Sequence, residues 1–401
     1  MSDVLDHELT KEQRAIVSPT AETDTFVVAC PGAGKTRMIV ARFIERAAQL
    51  PANRGIAVLS FTNAAATEVQ TRCRAHDIRD LCSFPHFVGT FDAFINRYLV
   101  MPFGSPWHAG YPTIIESWNR LGIEIRPPGS RGKSFGMPLD AFPVGDDLEI
   151  TLPRVPPQNV RKEVAATPEA WLSAAKRYRR GLLGKGLITC ADARALGLKR
   201  VRDPSLGPQL AKALGARFRE AIIDEAQDCD RHELELIRWL RSAGIQTTLV
   251  CDPDQAIFEF RGGDRQGLRA LSAQLDPKSL SGNFRSTQHI CGVAATLRSR
   301  PADTACGNEA EREIPPILIS YEGKKVSSAI GAAFMSVLKS YDDDRKDIVV
   351  LAHKHRHAHA AAGKLFQDRA SEAQLVRLAG AVSHGRRGAI ATRVRAALGL
   401  G

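Results

Sequence analysis

Residues 27–40, VVACPGAGKTRMIV, change character twice. An apolar run typical of a buried strand covers 26–29, a loop of small residues follows, and apolar residues then recur at helical spacing over 37–50. Small residues let the backbone curl so that successive N–H groups point toward one anion, and a helix start adds a positive dipole end. The stretch therefore predicts a phosphate-binding loop between a strand and a helix. A glycine-rich turn that binds nothing is the alternative.

Two polar side chains after the loop suit a nucleotide with a phosphate tail. The ammonium group of Lys35 would contact the β- and γ-phosphates, and the hydroxyl group of Thr36 would hold Mg²⁺. The loop departs from the G-x-x-x-x-G-K-[ST] pattern at its first position, which is Ala29. The residues that we expect around the phosphates are Ala29, Cys30, Pro31, Gly32, Ala33, Gly34, Lys35, Thr36 and Arg37.

A metal-assisted phosphate site needs an acidic residue after another buried strand, and residues 220–230, EAIIDEAQDCD, contain one. The apolar residues 221–223 predict the strand, and Asp224 follows it in a position to hold Mg²⁺. Glu225 comes next and would act as general base on the attacking water. Acidic pairs after strands are common, so this segment is informative only together with the loop. The two segments predict a site that hydrolyses ATP with Mg²⁺.

The composition fits a globular chain with a polyanionic partner. The 401 residues are enough for two or three domains, and 44% of them are hydrophobic. The net charge of +11 suits nucleic acid, and a solubilising surface is the alternative. No apolar run reaches the roughly eighteen residues of a membrane span. The polar, acidic residues 1–13 are unlike a signal peptide, so we predict a cytoplasmic protein without membrane contact.

The eight cysteines are scattered, without a C-x-x-C pair, which is typical of reduced thiols in the cytoplasm. Cys73 and Cys82, with His76 and His86 nearby, are the combination that suggests a metal site. Their spacing fits no zinc pattern, so we predict no metal there.

Five further segments resemble motifs of the UvrD/Rep-like helicases of superfamily 1, as do the loop and the DEAQD segment. Each match is short, but they follow one another in the family's order from residue 9 to about residue 290. The five segments are LTKEQRAIV (9–17), AVLSFTNAAATEVQTR (57–72), GTFDAFINRYL (89–99), LVCDPDQAIFEFRGG (249–263) and LSGNFRSTQHI (280–290).

The resemblance implies roles for residues on the nucleotide side. The amide of Gln13 would contact the edge of adenine, and Phe284 would lie on its face. Gln255 would sense the γ-phosphate, and Arg285 would reach it. The catalytic set that the resemblance implies, together with the two segments above, is Lys35, Asp224, Glu225, Gln255 and Arg285.

The resemblance also implies contacts with single-stranded DNA, in which aromatic side chains stack on bases at about 1–3 kcal/mol each. Two positions depart from the family: Ala64 stands where Lys is frequent, and Asp92 replaces His. Taken alone, Phe258 and Phe260 would more often be core residues. The implied DNA-binding residues are Phe61, Thr62, Asn63, Thr90, Phe91, Phe258, Phe260 and Arg261.

For the fold, the resemblance implies an α/β protein: a RecA-like P-loop NTPase domain with a parallel sheet, an inserted, mostly helical subdomain, and a partial second RecA-like domain. The insert closes with PEAWLSAAKRYRRGLL (168–183), an amphipathic helix. Its Lys176, Arg177, Arg179 and Arg180 would touch a DNA backbone or form a solvated face. The predicted boundaries are 1–99 with 187–280 (1A), 100–186 (1B), 281–370 (partial 2A), and 371–401, a helical tail that would begin a truncated 2B region.

The family's motifs V and VI are not found in residues 354–401. A truncated gene, a fragment of a longer protein and a short protein that borrows these motifs from a partner all fit. Three functions follow: an ATP-dependent helicase or translocase moving 3′ to 5′ on single-stranded or partly duplex DNA, an ATP- and DNA-binding module without autonomous unwinding, and the ATPase subunit of a repair or defence complex. Of these we predict the helicase or translocase, with the binding module as the alternative.

Overall fold

A computed structural model describes residues 9–18, 22–75, 82–127, 136–255, 263–298 and 301–308, with a few isolated positions beyond. The chain divides into two units, Met1–Ile314 and Pro315–Gly401. Nearly all described residues belong to the first unit. The tail predicted at 371–401 and most of the predicted 2A domain lie outside the described residues, and the predicted domain boundaries stay predictions.

A six-stranded parallel sheet lies at the centre of the first unit, in the order β10-β1-β9-β8-β2-β3. Three of its inner strands are almost entirely buried, as is usual for a parallel sheet covered on both faces. Pro277 lies in the edge strand β10, where its missing N–H leaves no ladder bond unmade. The six strands are β1 (Thr25–Ala29), β2 (Gly55–Ser60), β3 (Phe87–Thr90), β8 (Phe218–Ile223), β9 (Gln246–Cys251) and β10 (Asp276–Leu280).

The remaining strands are short and pair outside this sheet. In the described part of the chain, β4 pairs with β7, β5 with β6 and β11 with β12. These strands are β4 (Thr113–Ile115), β5 (Glu124–Ile125), β6 (Met137–Pro138), β7 (Leu187–Thr189), β11 (Gly282–Asn283) and β12 (Thr304–Ala305).

Several helices begin at side chains that cap free backbone N–H groups. Thr10, Thr189 and Asp230 each form a capping box with the residue three positions on. The helices are α1 (Lys11–Val17), α2 (Lys35–Ala48), α3 (Asn63–Ala75), α4 (Phe91–Phe94), α5 (Arg161–Ala166), α6 (Pro168–Gly184), α7 (Cys190–Arg202), α8 (Leu206–Arg217), α9 (Arg231–Ser242), α10 (Arg265–Ser272) and α11 (Gln288–Ala295). A π-helical turn (Ile95–Val100) continues α4.

The segment between β3 and β7 has a hydrophobic cluster of its own, in which Trp118 and Trp171 are buried. Its helices α5 and α6 lie after residue 160, whereas the described residues before them form short strands, single turns of 3-10 helix and loops. Prolines explain this difference, because they occur throughout residues 102–157 and cannot donate backbone hydrogen bonds.

A buried ion pair joins the first two helices to the sheet. Arg42 of α2 and Glu220 of β8 are both fully buried, and Arg42 Nε lies 2.7 Å from Glu220 Oε1. Arg42 also donates to the carbonyl oxygen of Ile16 at the end of α1. Arg46 Nε lies 3.3 Å from Glu220 Oε2, and Thr248 Oγ1 donates to Glu220 Oε1 at 2.7 Å. The pair therefore holds α1 and α2 against β8 and β9.

We expect Arg42→Met to lower the free energy of unfolding by about 3–5 kcal/mol, because the buried carboxylate of Glu220 then has Arg46 as its one cationic partner among the described residues. Urea unfolding followed by circular dichroism measures this. Arg120→Met is the control, since Arg120 pairs with Glu116 on the surface, where such pairs contribute about 0–1 kcal/mol. Equal unfolding midpoints for both variants would contradict the assignment.

Candidate functional site

The loop between β1 and α2 curls through two glycines in the left-handed region. Gly32 and Gly34 both have φ of 76°. A Cβ atom at Gly32 would lie 2.6 Å from Asn283 Oδ1, so a larger residue has no room there. Gly34 is the N-cap of α2, whose first N–H groups have no partner within the helix. The loop and the helix start thus form an anion-binding end, as the sequence predicts for a phosphate loop.

An open cleft of about 440 Å³ lies over this loop. Of the residues expected around the phosphates, Gly32 to Arg37 line it, whereas Ala29 and Cys30 are fully buried below. The N–H of Cys30 donates to the carbonyl oxygen of Leu280, so this group extends the sheet and does not face a phosphate. The cleft is lined by Gly32, Ala33, Gly34, Lys35, Thr36, Arg37, Arg72, Glu225, Gln255, Phe284 and Arg285.

The ammonium group of Lys35 lies between two carboxylates. Lys35 Nζ is 3.4 Å from Glu225 Oε2 and 3.5 Å from Asp252 Oδ2. Asp252 is fully buried directly after β9, the strand between β1 and β8. Strand order therefore brings three loops together at the carboxyl edge of the sheet, where parallel sheets bind ligands.

Two glutamines fix the positions of these carboxylates. Gln227 Nε2 donates to Glu225 Oε2 at 2.6 Å, and the Gln227 Oε1 atom accepts from the N–H of Asp252 at 2.9 Å. Gln255 Nε2 donates to Asp252 Oδ2 at 2.8 Å. The residue predicted to sense the γ-phosphate is thus hydrogen-bonded to a neighbour of Lys35 and lines the cleft.

Asp224 is buried at the end of β8, and its N–H donates to the carbonyl oxygen of Leu59 at 2.9 Å. Burial raises the pKa of Asp224 to about 6, and the charge of Glu225 adds to the effect. Glu225 has φ of 52°, a left-handed conformation that is uncommon outside glycine and recurs at functional sites. The Asp224 carboxylate and the Thr36 hydroxyl group, which lines the cleft, are hard oxygen donors of the kind that suits Mg²⁺.

Gln13 and Phe284 come to the phosphate loop and its cleft from segments that are distant in sequence. Gln13 Nε2 donates to the carbonyl oxygen of Ala33 at 3.0 Å, and Gln13 Oε1 accepts from the N–H of Thr10. Its amide therefore already positions the phosphate loop. The side chain of Phe284 is 41% exposed, and both Phe284 and Arg285 line the cleft.

Sequence reasoning missed several residues that the structure brings to this site. Asp252 follows a buried strand, which is the signal that identified Asp224. Arg72 lies within a quoted motif, and only the tertiary structure shows that it reaches the cleft from α3. Asn283 and Gln227 act by hydrogen bonding to other site residues, which leaves no pattern in the sequence.

The residues expected to bind DNA are only partly on the surface. Thr62 and Asn63 are exposed at the start of α3, whereas Phe91 is 2% exposed and its ring lies 5.1 Å from that of Phe61. Phe91 therefore belongs to the core in this structure and cannot stack on a base. Thr90 caps α4 through a hydrogen bond from the N–H of Ala93. Phe258, Phe260 and Arg261 lie outside the described residues.

Two side-chain environments bear on other sequence interpretations. Asp92, which replaces the family's His, forms an ion pair with Arg194 at 2.8 Å. His86 Nδ1 accepts from the N–H of Ile56, so His86 has a structural partner in the core. Within the described ranges, no group of three or more His, Cys, Asp or Glu side chains is arranged to hold a metal ion.

Comparison with known proteins agrees with this geometry. A family model described as the UvrD/REP helicase N-terminal domain matches residues 9–105 and 154–276, together more than half of the chain. The chain belongs to the UvrD/Rep helicase family. Residues 106–153 of the insert fall outside the match.

Individual relatives of this UvrD/Rep family member are distant. DNA helicase II of Haemophilus influenzae is 23% identical over 317 residues, which cover 76% of this chain and 42% of that protein. The ATP-dependent DNA helicase srs2 of Schizosaccharomyces pombe is 24% identical, covering 73% and 35%. RecB, a subunit of the RecBCD enzyme, from Mycolicibacterium smegmatis is 34% identical over 161 residues, covering 39% and 14%. The chain thus spans about two fifths, or less, of the length of these relatives.

None of the helices in the described part has the length and apolar character that crossing a bilayer requires.

Proposed function

We propose that this chain binds and hydrolyses ATP and couples hydrolysis to movement on DNA. The observation that carries the proposal is the position of Lys35 Nζ, within 3.5 Å of both Glu225 and Asp252 in the cleft over the phosphate loop. When a nucleotide enters, the ammonium group of Lys35 would leave these carboxylates and contact the phosphates instead. The family relationship supports DNA as the partner.

The proposed chemistry uses groups that line or border the cleft. The loop amides and Lys35 would bind the β- and γ-phosphates, and Arg285 would reach the γ-phosphate. Glu225 would accept the proton from the attacking water while the bond between the γ-phosphorus and its bridging oxygen breaks. Gln255 would link the γ-phosphate to Asp252. Mg²⁺, held by Thr36 and Asp224, would neutralise charge on the phosphates.

For the finer function, we propose 3′ to 5′ translocation on single-stranded DNA with unwinding of partly duplex DNA. Two relatives are named DNA helicases, which supports the unwinding of DNA. The direction of movement and the single-stranded track rest on the resemblance of the motifs alone. The alternative is a partner-dependent ATP- and DNA-binding module. The RecB relative favours it, since that protein is named as a subunit of a larger enzyme.

The experiment is a titration of single-stranded DNA into the full chain with ATP and Mg²⁺, measuring phosphate release. We expect turnover to rise with DNA and to stop when EDTA removes Mg²⁺. Turnover that stays flat across the titration would contradict a DNA-coupled ATPase. A strand-displacement assay then separates the two proposals, because unwinding by this chain alone excludes the partner-dependent module.

A further inference from the structure

Two of the scattered cysteines are partners in the structure. Cys73 lies on α3 and is fully buried in a hydrophobic cluster. Cys82, which comes shortly before β3, is partly buried and packs against the same cluster. The two thiol groups are hydrogen-bonded to each other. Both cysteines are free, and in the described part of the chain they belong to no group of three or more metal-binding side chains. The pair is therefore a candidate for thiol chemistry.

The two thiols differ in acidity and in access to solvent. The hydrogen bond from Cys73 lowers the pKa of the Cys82 thiol to about 7 against the effect of its partial burial, and the charge of Arg74 acts in the same direction as the hydrogen bond. The same hydrogen bond, together with burial, raises the pKa of Cys73. Just above neutral pH, Cys82 is therefore mostly thiolate and partly open to solvent, whereas Cys73 keeps its proton and is enclosed.

This difference assigns the two thiols separate roles. Reactive cysteines are ionised and accessible, and those that sense oxidants often stand next to a second thiol that completes a disulfide. Other buried cysteines of this chain behave in the opposite way, since burial raises the pKa of Cys190, Cys251 and Cys291. Cys82 is thus the nucleophile of the pair, and Cys73 is the thiol that resolves its oxidised form.

The pair adjoins a residue of the ATP cleft. Arg72 precedes Cys73 on α3, forms an ion pair with Glu68 at 2.7 Å, and lines the cleft. A disulfide joins its sulfur atoms at about 2.0 Å, well inside the separation of a hydrogen-bonded pair. A close-packed core leaves a buried side chain little room to move alone, so the bond has to draw the end of α3 and the chain before β3 together. This shift reaches Arg72, the neighbour of Cys73 in the chain.

We propose that Cys73 and Cys82 are an oxidation site for hydrogen peroxide, and that the disulfide formed there weakens nucleotide binding in the cleft through Arg72. The effect on the nucleotide rests on the proposed function, because it requires ATP in the cleft. The disulfide itself does not, since it needs only the two thiols and the peroxide. The two parts can therefore be tested separately on the same preparation.

Oxidation takes place in two steps. The Cys82 thiolate attacks one oxygen of hydrogen peroxide, the O–O bond breaks, and the leaving hydroxide takes a proton from solvent to become water, which leaves Cys82 as a sulfenic acid. The Cys73 sulfur then attacks the Cys82 sulfur, the S–O bond breaks, and the hydroxide leaves as water with the proton of Cys73. The two sulfur atoms together lose two electrons, and the peroxide is reduced to two molecules of water. A dithiol reductant reverses the change.

The first test treats the full chain with a moderate excess of hydrogen peroxide, blocks the remaining thiols with iodoacetamide and maps tryptic peptides by mass spectrometry. Cleavage after Arg74 separates the two cysteines, so a linked peptide identifies the bond. We expect a Cys73–Cys82 disulfide that dithiothreitol removes. Cys82→Ser should lose it, and Cys306→Ser, which replaces an exposed cysteine elsewhere, should keep it. A parent chain in which these two cysteines remain unlinked would overturn the proposal.

The second test is titration calorimetry with ATP and Mg²⁺ on the reduced and the oxidised chain. We expect oxidation to lower ATP affinity by about 10-fold or more, as the loss of one hydrogen bond to a charged group would, and dithiothreitol to restore it. Cys82→Ser should bind ATP equally well before and after peroxide, and Cys306→Ser should respond like the parent chain. Arg72→Gln should bind ATP more weakly when reduced and change little on oxidation.

The outcomes distinguish this proposal from the proposed function. Equal ATP affinity of the reduced and the disulfide-bonded chain would overturn the effect on the nucleotide, as would a loss of affinity that persists in Cys82→Ser. An undiminished response in Arg72→Gln would overturn the route through Arg72. A reduced chain that binds no ATP would overturn the proposed function, and the peptide map would still decide whether the disulfide forms. A thermal melt confirms that each variant is folded.

Discussion

Lys35→Ala abolishes productive ATP binding and hydrolysis: this is the largest effect that we expect from a single substitution. The variant removes the cation between Glu225 and Asp252, so these two carboxylates then repel the incoming phosphates. Hydrogen bonds to charged groups contribute about 1.5–3 kcal/mol each, and Lys35 would make such bonds to two phosphates. ATP affinity should therefore fall by about 100-fold or more.

Titration calorimetry with ATP and Mg²⁺ measures this loss. Lys199→Ala is the matched control, because Lys199 is exposed on α7, far along the chain from the loop. A melting temperature near that of the parent chain shows that the variant is folded. If Lys35→Ala binds ATP with unchanged affinity, Lys35 is not a phosphate ligand and the proposed site fails.

Glu225→Gln should separate binding from chemistry. Glutamine has nearly the same shape and still accepts the hydrogen bond from Gln227, but it cannot take a proton from water. Loss of a general base typically costs about 10²–10⁴-fold in rate. Removing a negative charge from the cleft also lowers repulsion of the phosphates, so ATP affinity should stay level or increase.

Single-turnover hydrolysis and nucleotide binding on the same preparation measure the two effects. Glu163→Gln, on the exposed surface of α5, is the control. Normal turnover by Glu225→Gln would show that the base is another group. Asp252 would then be the first residue to test, since its carboxylate lies 3.5 Å from Lys35 Nζ.

The local elements of the site could be predicted from sequence. The strands expected at 26–29 and 221–223 and the helix expected from 37 are present as β1, β8 and α2, with ends shifted by a few residues. An apolar run or a helical repeat is a property of neighbouring residues, so it is readable without knowing the fold. The curled geometry of the phosphate loop could also be predicted from the sequence, because glycine is the residue that adopts a positive φ freely.

Side-chain partners far apart in the chain could not be predicted in this way. Phe91 looks like a candidate for stacking in its motif, yet it packs on Phe61 in the core. Arg179 resembles its exposed neighbours on α6, yet it pairs with buried Asp192. In each case the deciding contact comes from another element, whose position the local pattern of residues does not fix.

The sequence by itself determined the family, the phosphate loop, and the two acidic residues after β8, because each is a short pattern of neighbouring residues. Only the tertiary structure decided that Lys35 meets Glu225 across 190 positions, that Asp252 stands beside them, and that Arg72 reaches the same cleft. The physical reason is strand order: β9 lies between β1 and β8, so three carboxyl ends that are distant in sequence share one edge of the sheet.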